Sequence, residues 1–306
     1  MANITLFSQI IKKLDRSKFN KIVERKKSDK HNKGFSSWNH LISMLFCQFA
    51  KSQSVRDISN GLRSATGNLN HLGINKAPSK SSISYQNKNR SHEVFKEYYF
   101  ELLKSLGQHP EFKQIKFKIK SKIFLLDSTT ISLCLSLFDW AKYKTAKGAV
   151  KMHTLLDYDG NLPAYINITN GKTADNKGAY EIPLLKGSVI VADRFYNDFS
   201  LLNVWDSNDV FFVISHKENL QFTTIKENEL PENRHAHILK DEIIELKNDT
   251  SRAKYAKKLR RVSVYDEKNN QVIELITNHF NWTANTIGEL YKSRWQVEIF
   301  FRDVKQ

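Results

Sequence analysis

The sequence has little cysteine, proline or glycine. Cys47 and Cys134 are the only cysteines in 306 residues, and they belong to no Cys-x-x-Cys pair. That argues against a disulfide framework and against a thiolate zinc site. Five prolines and eleven glycines are too few for a collagen-like or Pro/Gly-rich disordered chain. Long apolar runs are missing too. The longest, Leu41 to Ala50, is broken by Gln48 and falls well short of the roughly 20 residues that cross a bilayer. Near the N-terminus Lys12 and Lys13 follow the apolar stretch instead of preceding it, the reverse of a signal peptide. These absences point to a cytoplasmic protein. What is present, 40% hydrophobic and 26% charged residues, suffices for one large domain or two ordinary ones.

The first part of the chain is also short of acid. Residues 1–120 hold 23 Lys and Arg against 8 Asp and Glu, whereas residues 121–306 hold 25 against 24. Nearly all of the +16 net charge therefore sits in the first two-fifths. Such asymmetry suggests an anionic partner, nucleic acid being the commonest, with a solubilising basic face as the alternative.

The first 105 or so residues read as helices. Ile4, Phe7, Ile10, Ile11 and Leu14 recur at helical spacing, as do Trp38, Leu41, Ile42, Leu45, Phe46 and Phe49, and then Val55, Ile58 and Leu62. Ser79 is placed to cap a further short helix through Ile83, Tyr85 and Asn87. Its polar run includes Lys80, Lys88 and Arg90, residue types that contact phosphates and base edges. The spacing suits a helix-turn-helix or a plain helical bundle. A helix is expected from His92 to Leu106. Beyond it, β-branched runs alternate with polar turns. Lys122 to Leu126 reads as a buried strand ending at Asp127, with Thr130 to Leu135 as a hairpin partner, and Ser188 to Ala192 as a second strand ending at Asp193. One closing helix is expected from about Thr283 to Gln306. The order of elements is α/β.

Asp127 and Asp193 share a context, each directly after an apolar strand. A carboxylate there opens onto the crevice where α/β proteins place ligands, though a strand-end Asp taken alone is more often a cap or turn residue. The closing helix adds Tyr291, Arg294, Glu298 and Lys305 in the spacing Y-x2-R-x3-E-x6-K. In a continuous helix these four share a stripe about 60° wide. An Arg294–Glu298 pair at i,i+4 accounts for two of them but not for the alignment of all four.

With these residues in view, the sequence resembles the DDE transposases of bacterial insertion sequences, in particular the family-four, hairpin-forming group with its Tyr-Arg-Glu-Lys signature. ELYKSRWQVEIFFRDVKQ resembles that group's helix, LLDSTTI its first catalytic strand and VADRFYND its second Asp region. GAVKMHTLLDYDGNLPAYINITNGKTADN, SVRDISNGL and HLGINKAPSKSSISYQNKNR are also similar.

The resemblance implies an N-terminal all-helical DNA-binding domain at residues 1–118. It implies an RNase-H-like mixed-sheet catalytic domain at 119–306, with a mainly β insertion at about 205–278. Asp127, Asp193 and Glu298 would be the catalytic triad and would hold two Mg²⁺ ions, with Mn²⁺ able to substitute. Tyr291, Arg294 and Lys305, and with them Arg194, Lys80, Lys88 and Arg90, would contact phosphates or DNA. The implied reaction is cut-and-paste transposition by strand cleavage and strand transfer. It would act on double-stranded DNA at terminal inverted repeats and at a target, by a homodimer in the DNA complex, in a nucleoid-associated cytoplasmic protein. Hairpin-forming relatives stack a flipped base on an aromatic residue; Trp205, Trp282 and Phe212 are candidates for that role or for the core. Members of the group usually continue beyond the signature lysine, whereas one residue follows Lys305 here. Two alternatives are therefore a truncated, non-catalytic DNA-binding derivative acting as an inhibitor or repressor, and a stand-alone metal nuclease.

Overall fold

Among the described residues, helical periodicity in the first third of the chain is realised as six α-helices. They are α1 (Ile4–Lys12), α2 (Arg16–Arg25), α3 (Ser37–Phe49), α4 (Val55–Ser64), α5 (Lys80–Asn89) and α6 (Glu93–Gly107). Three start in the same way: the hydroxyls of Ser36, Ser54 and Ser79 accept the amides of Asn39, Asp57 and Ser82, which satisfies an otherwise orphaned donor at each N-terminus. Phe19, Trp38, Ile42, Phe46, Ile58, Leu62, Leu72, Ile83, Val94 and Tyr98 form one buried cluster. The computed structural model describes residues 4–65, 69–107, 122–133, 142–144, 147–216, 218–230 and 237–305. The chain divides into two units, Met1–His109 and Pro110–Gln306. The expected boundary at 118/119 lies outside the described residues.

Helices α3, α4 and α5 pack on one another, but not around the tight turn of a helix-turn-helix. Fifteen residues separate Ser64 from Lys80, and they include a 3₁₀ turn at Leu69–Leu72.

The second unit is built on a ten-stranded mixed sheet. Its strands are β1 (Ile123–Leu133), β2 (Lys142–Lys144), β3 (Lys147–Asp157), β4 (Leu162–Asn170), β5 (Val189–Ala192), β6 (Phe211–Ser215), β7 (Phe222–Glu227), β8 (Ile238–Leu246), β9 (Leu259–Asp266) and β10 (Gln271–Thr277). The order is β2-β3-β1-β5-β6-β10-β9-β8-β7, with β4 also on β3. Strands β1, β5 and β6 are parallel; the other pairings are antiparallel.

Helix α7 (Asp175–Ala179) lies before β5, α8 (Phe199–Ser207) crosses from β5 to β6, α9 (Asp249–Lys254) lies between β8 and β9, and α10 (Ala284–Ser293) and α11 (Trp295–Lys305) close the chain. Alternation along the strands sorts their side chains onto two faces. Phe124, Leu126, Ile190, Ala192, Phe212 and Ile214 pack with Leu201, Leu202 and Trp205 of α8. Ile123, Leu125, Val189, Val191 and Val213 pack with Ile287 and Leu290 of α10 and Val297 and Phe301 of α11.

Two expectations about β1 change. Asp127 does not end its strand: β1 runs on through Ser128, Thr129 and Thr130 to Leu133, residues compatible with extended structure. Thr130 onward continues β1 in place of forming a hairpin partner, and residues 134–141 lie outside the described residues. Within the stretch expected as an insertion, at about 205–278, the strands fall into two sets. Phe211–Ser215 is apolar and buried and pairs in parallel with β5, as expected of a strand covered on both faces. The added antiparallel strands run from Phe222 to Thr277 and extend the sheet beyond β6.

The closing helix is two helices that meet at Arg294. There the bonds Arg294 N–H to Tyr291 O and Val297 N–H to Arg294 O tighten the turn to 3₁₀ spacing. Ser293 Oγ meanwhile donates to the Leu290 carbonyl at 2.5 Å, a side-chain bond that competes with helical pairing.

Candidate active site

Sheet register carries the two aspartates to one place. Leu126 of β1 is opposite Ala192 of β5, so the next position on each strand is Asp127 and Asp193. Both fall in step with Leu125 and Val191, on the face covered by α10 and α11. On the next strand Ile214 is opposite Ala192, which makes Ser215 the third member of the row. Thr154 of β3 pairs with Asp127 on its other side. Thr154 is buried, and its hydroxyl has no partner among the described residues.

The junction of α10 and α11 covers this row. The Tyr291 hydroxyl donates to Ser215 Oγ at 2.8 Å. The Arg294 guanidinium lies 3.6 Å from Asp127 and 2.7 Å from Glu298 and stacks over the Tyr291 ring at 5.8 Å. Arg294 thus draws together carboxylates from a strand and from a helix. Burial pushes the Asp127 carboxyl up to about 7. The Ser128 amide and Arg294 oppose that rise, and the nearby charges of Asp193 and Glu298 add to it. Burial raises Asp193 too, against the Phe195 amide and Arg294. Burial works against the charge on Arg294, yet its net shift is upward because Tyr291, Glu298 and Asp127 favour the cation.

Beyond β5, Asp193 caps a 3₁₀ turn (Arg194–Tyr196) by accepting the Phe195 amide at 2.9 Å. Arg194 is exposed and near enough to Asp193 to favour its ionised form. Lys305 is exposed at the end of α11, about 10 Å of helical rise beyond Glu298. Lys80 and Lys88 are exposed on α5 in the other unit. Arg90 is not available to DNA as expected. Its side chain is 2% exposed, paired with Asp29 at 3.2 Å, and donates to the Phe35 and Ser36 carbonyls at 2.8 and 3.1 Å. Trp205 and Phe212 are core residues. Trp282 is half-buried and stacked on His279 at 3.6 Å.

On the opposite face of the sheet is a group centred on Asp175, a residue not singled out from the sequence. Ser128 donates to Asp175, and Lys151 Nζ bonds the same oxygen at 2.9 Å. Asp175 is the first residue of α7, so it ties α7 to β1 and β3 behind Asp127. His153 is fully buried beside it and is 2.9 Å from Thr169 Oγ1. Only the i, i+2 pattern Lys151, His153 in an apolar strand hinted at this group.

The carboxylates are hard oxygen donors of the kind that bind Mg²⁺. Among the described residues no three potential ligands stand close enough together to hold an ion, and Arg294 is the cation between Asp127 and Glu298.

Comparison with known families adds a decisive observation: residues 118–306 match the family described as "Transposase DDE domain". The chain belongs to this DDE transposase family. The family implies an RNase-H-like fold and, in general, divalent metal ions. Residues 2–75 of the chain match a second family, described as "Domain of unknown function (DUF4372)". Among similar curated proteins, the "Probable transposase for insertion sequence element IS5377" of Geobacillus stearothermophilus is 29% identical over 182 residues, which is 60% of this chain and 47% of that protein. The "Putative transposase y4zB" of Sinorhizobium fredii is 27% identical over 75% of this chain and 63% of its own length. The "Putative transposase for insertion sequence element IS4SA" of Synechocystis is 25% identical over 74% and 61%. The chain thus spans between about half and two-thirds of these relatives. Among the described residues no helix is long and apolar enough to cross a membrane.

Proposed function

We propose that this DDE transposase catalyses cut-and-paste movement of its insertion sequence, by the hairpin route of the group that carries the Tyr-Arg-Glu-Lys signature. The observation that carries this reading is the register of β1 and β5. It sets Asp127 and Asp193 side by side, under the helix that brings Glu298. These three carboxylates would hold Mg²⁺ or Mn²⁺, and the donor chemistry fits such ions. When bound, the metal supplies phosphate polarisation and stabilises the departing 3′ oxygen.

The chain's own residues do the rest. Arg294 offers a planar, permanently charged fork that suits a phosphate, and its ion pairs with Asp127 and Glu298 hold that fork at the carboxylates. Tyr291 is fixed by Ser215 and orients the guanidinium from below. Arg194 and Lys305 are exposed and in this reading would meet the DNA backbone. The substrate in this reading is double-stranded DNA at the element's terminal repeats and at a target. A homodimer brings two ends together, and the basic helical unit supplies the docking.

The test is cleavage of a labelled duplex carrying the flanking inverted repeat, with Mg²⁺ and with EDTA. Asp127→Asn, Asp193→Asn and Glu298→Gln should each abolish metal-dependent cleavage and keep DNA binding. Wild-type activity in any of the three refutes the assignment. Binding without cleavage by the wild-type chain favours an inhibitor, and cutting at arbitrary sequence favours a nuclease.

A further inference from the structure

We infer that α5 is the element with which this transposase reads duplex DNA, and that Ser84, Tyr85 and Lys88 are the side chains that enter the groove. The inference rests on the transposase reading and assigns one part of it to one helix face.

The first support is the helix itself. Ile83 is fully buried and fixes which side of α5 faces the core. At about 100° per residue, Ser81, Ser84, Tyr85 and Lys88 fall on the opposite half, within an arc of about 100°. All four are exposed. The Ser81 hydroxyl is taken up by the cap residue Ser79 at 2.9 Å. The side chains of Ser84, Tyr85 and Lys88 have no hydrogen-bond or ion-pair partner among the described residues; the Tyr85 carbonyl accepts from Asn89 Nδ2 at 2.7 Å. Tyr85 is 66% exposed, a large aromatic ring left in water on an otherwise polar helix. A hydroxyl, a phenol and an ammonium suit base edges and phosphates, and the ring has a face for stacking or a thymine methyl.

The second support is rigidity from behind. Arg90, just after the helix, bonds Asp29 and the Phe35 and Ser36 carbonyls, so the C-terminal end of α5 is tied to the start of α3. Asn87 is 2.5 Å from His40 of α3. Ser59 of α4 donates to the Pro78 carbonyl at 2.8 Å, which fixes the approach to α5. A reading helix has to be held in this way, because base contacts tolerate little misplacement.

The third support is charge. From Ile58 to His92 the sequence contains no Asp or Glu but has Arg63, Lys76, Lys80, Lys88 and Arg90. Of these, Arg90 is internal, and the other four are exposed, Lys80 and Lys88 on α5 itself. A ten-residue helix that itself carries no Asp or Glu fits a groove about 12 Å wide lined by phosphates.

The experiment uses the full chain in EDTA, so that binding is separated from cleavage. Two labelled duplexes of equal length are titrated, one carrying the flanking inverted repeat and one with the same bases shuffled. Ser84→Ala/Tyr85→Ala should weaken the repeat duplex by about tenfold or more and leave the shuffled duplex nearly unchanged. Lys88→Ala should weaken both and lower the slope of log K against log salt by about one. Tyr85→Glu, which places negative charge on the face, should weaken both more strongly. Circular dichroism checks the fold of each variant, and all three side chains point to solvent. Unchanged binding of both duplexes by all these variants overturns the inference. If the wild-type chain prefers and cleaves the repeat duplex while the variants match it, only the inference fails. If the wild-type chain neither prefers the repeat nor cleaves it with Mg²⁺, the transposase reading fails and the inference goes with it.

Discussion

Arg90 offers the clearest discrimination between a residue that binds DNA and one that holds the fold. Arg90→Ala removes a guanidinium that is 2% exposed and three hydrogen bonds, to Asp29, Phe35 and Ser36. The two carbonyl bonds have a charged donor and are worth about 1.5 kcal/mol or more each net. The bond to Asp29 counts for less, because that carboxylate is 29% exposed and keeps the Ser37 amide and hydroxyl at 2.7 and 2.8 Å. The expected loss is about 3 kcal/mol, confined to the junction of α3 and α5. Hydrogen exchange read by peptide should show about a 100-fold loss of protection in these two helices, with the sheet unit unaffected. Arg90→Lys should restore only part of it, since an ammonium cannot span the same acceptors. Unchanged protection together with weaker DNA binding would refute the reasoning and return Arg90 to the DNA surface.

Other outcomes follow from the sheet unit. Asp241 and Arg260 are a buried pair with bonds of 2.8 and 2.6 Å; Asp241→Ala should cost about 3–5 kcal/mol in a urea titration, and Asp241→Leu/Arg260→Met much less. Asp175→Ala strips Lys151, which is 15% exposed, of its counter-charge. It should lower both the melting temperature and the cleavage rate, with metal affinity less affected. His279 is held down at about 4 by burial and by the Arg260 cation. The unfolded chain takes up that proton near 6.5, so stability is full above about 6.5 and falls as pH drops toward 4. Partial exposure reduces the loss to about 1–2 kcal/mol, and His279→Phe should flatten that part of a melting-temperature profile.

Helical spacing in the first 105 residues and the apolar runs before Asp127 and Asp193 were legible, because period and burial go together in each. The extent of β1 was not. An Asp followed by Ser and Thr looks like a turn, and only pairing with Lys151–Thr154 of β3 keeps those residues extended. The break at Arg294 was hidden for a similar reason. No glycine or proline marks it, and local hydroxyl bonding makes it. Arg90 looked like its neighbours Lys80 and Lys88 in a polar run, and its removal from the surface depends on Asp29, sixty-one positions away. The parallel placement of Phe211–Ser215 was equally a property of the sheet, not of the five residues alone.

Assembly of the site also has an order in time. Asp127 meets Asp193 through parallel pairing across 66 positions, and Glu298 follows Asp127 by 171. Contacts of such sequence separation form late. The helical unit, by contrast, draws its core from residues within the first hundred or so. During synthesis, which proceeds from the N-terminus, α5 can be folded on the ribosome while Glu298 has yet to be translated. On the proposed function, the nascent polypeptide would therefore carry its DNA-docking helix before its cleavage site is complete.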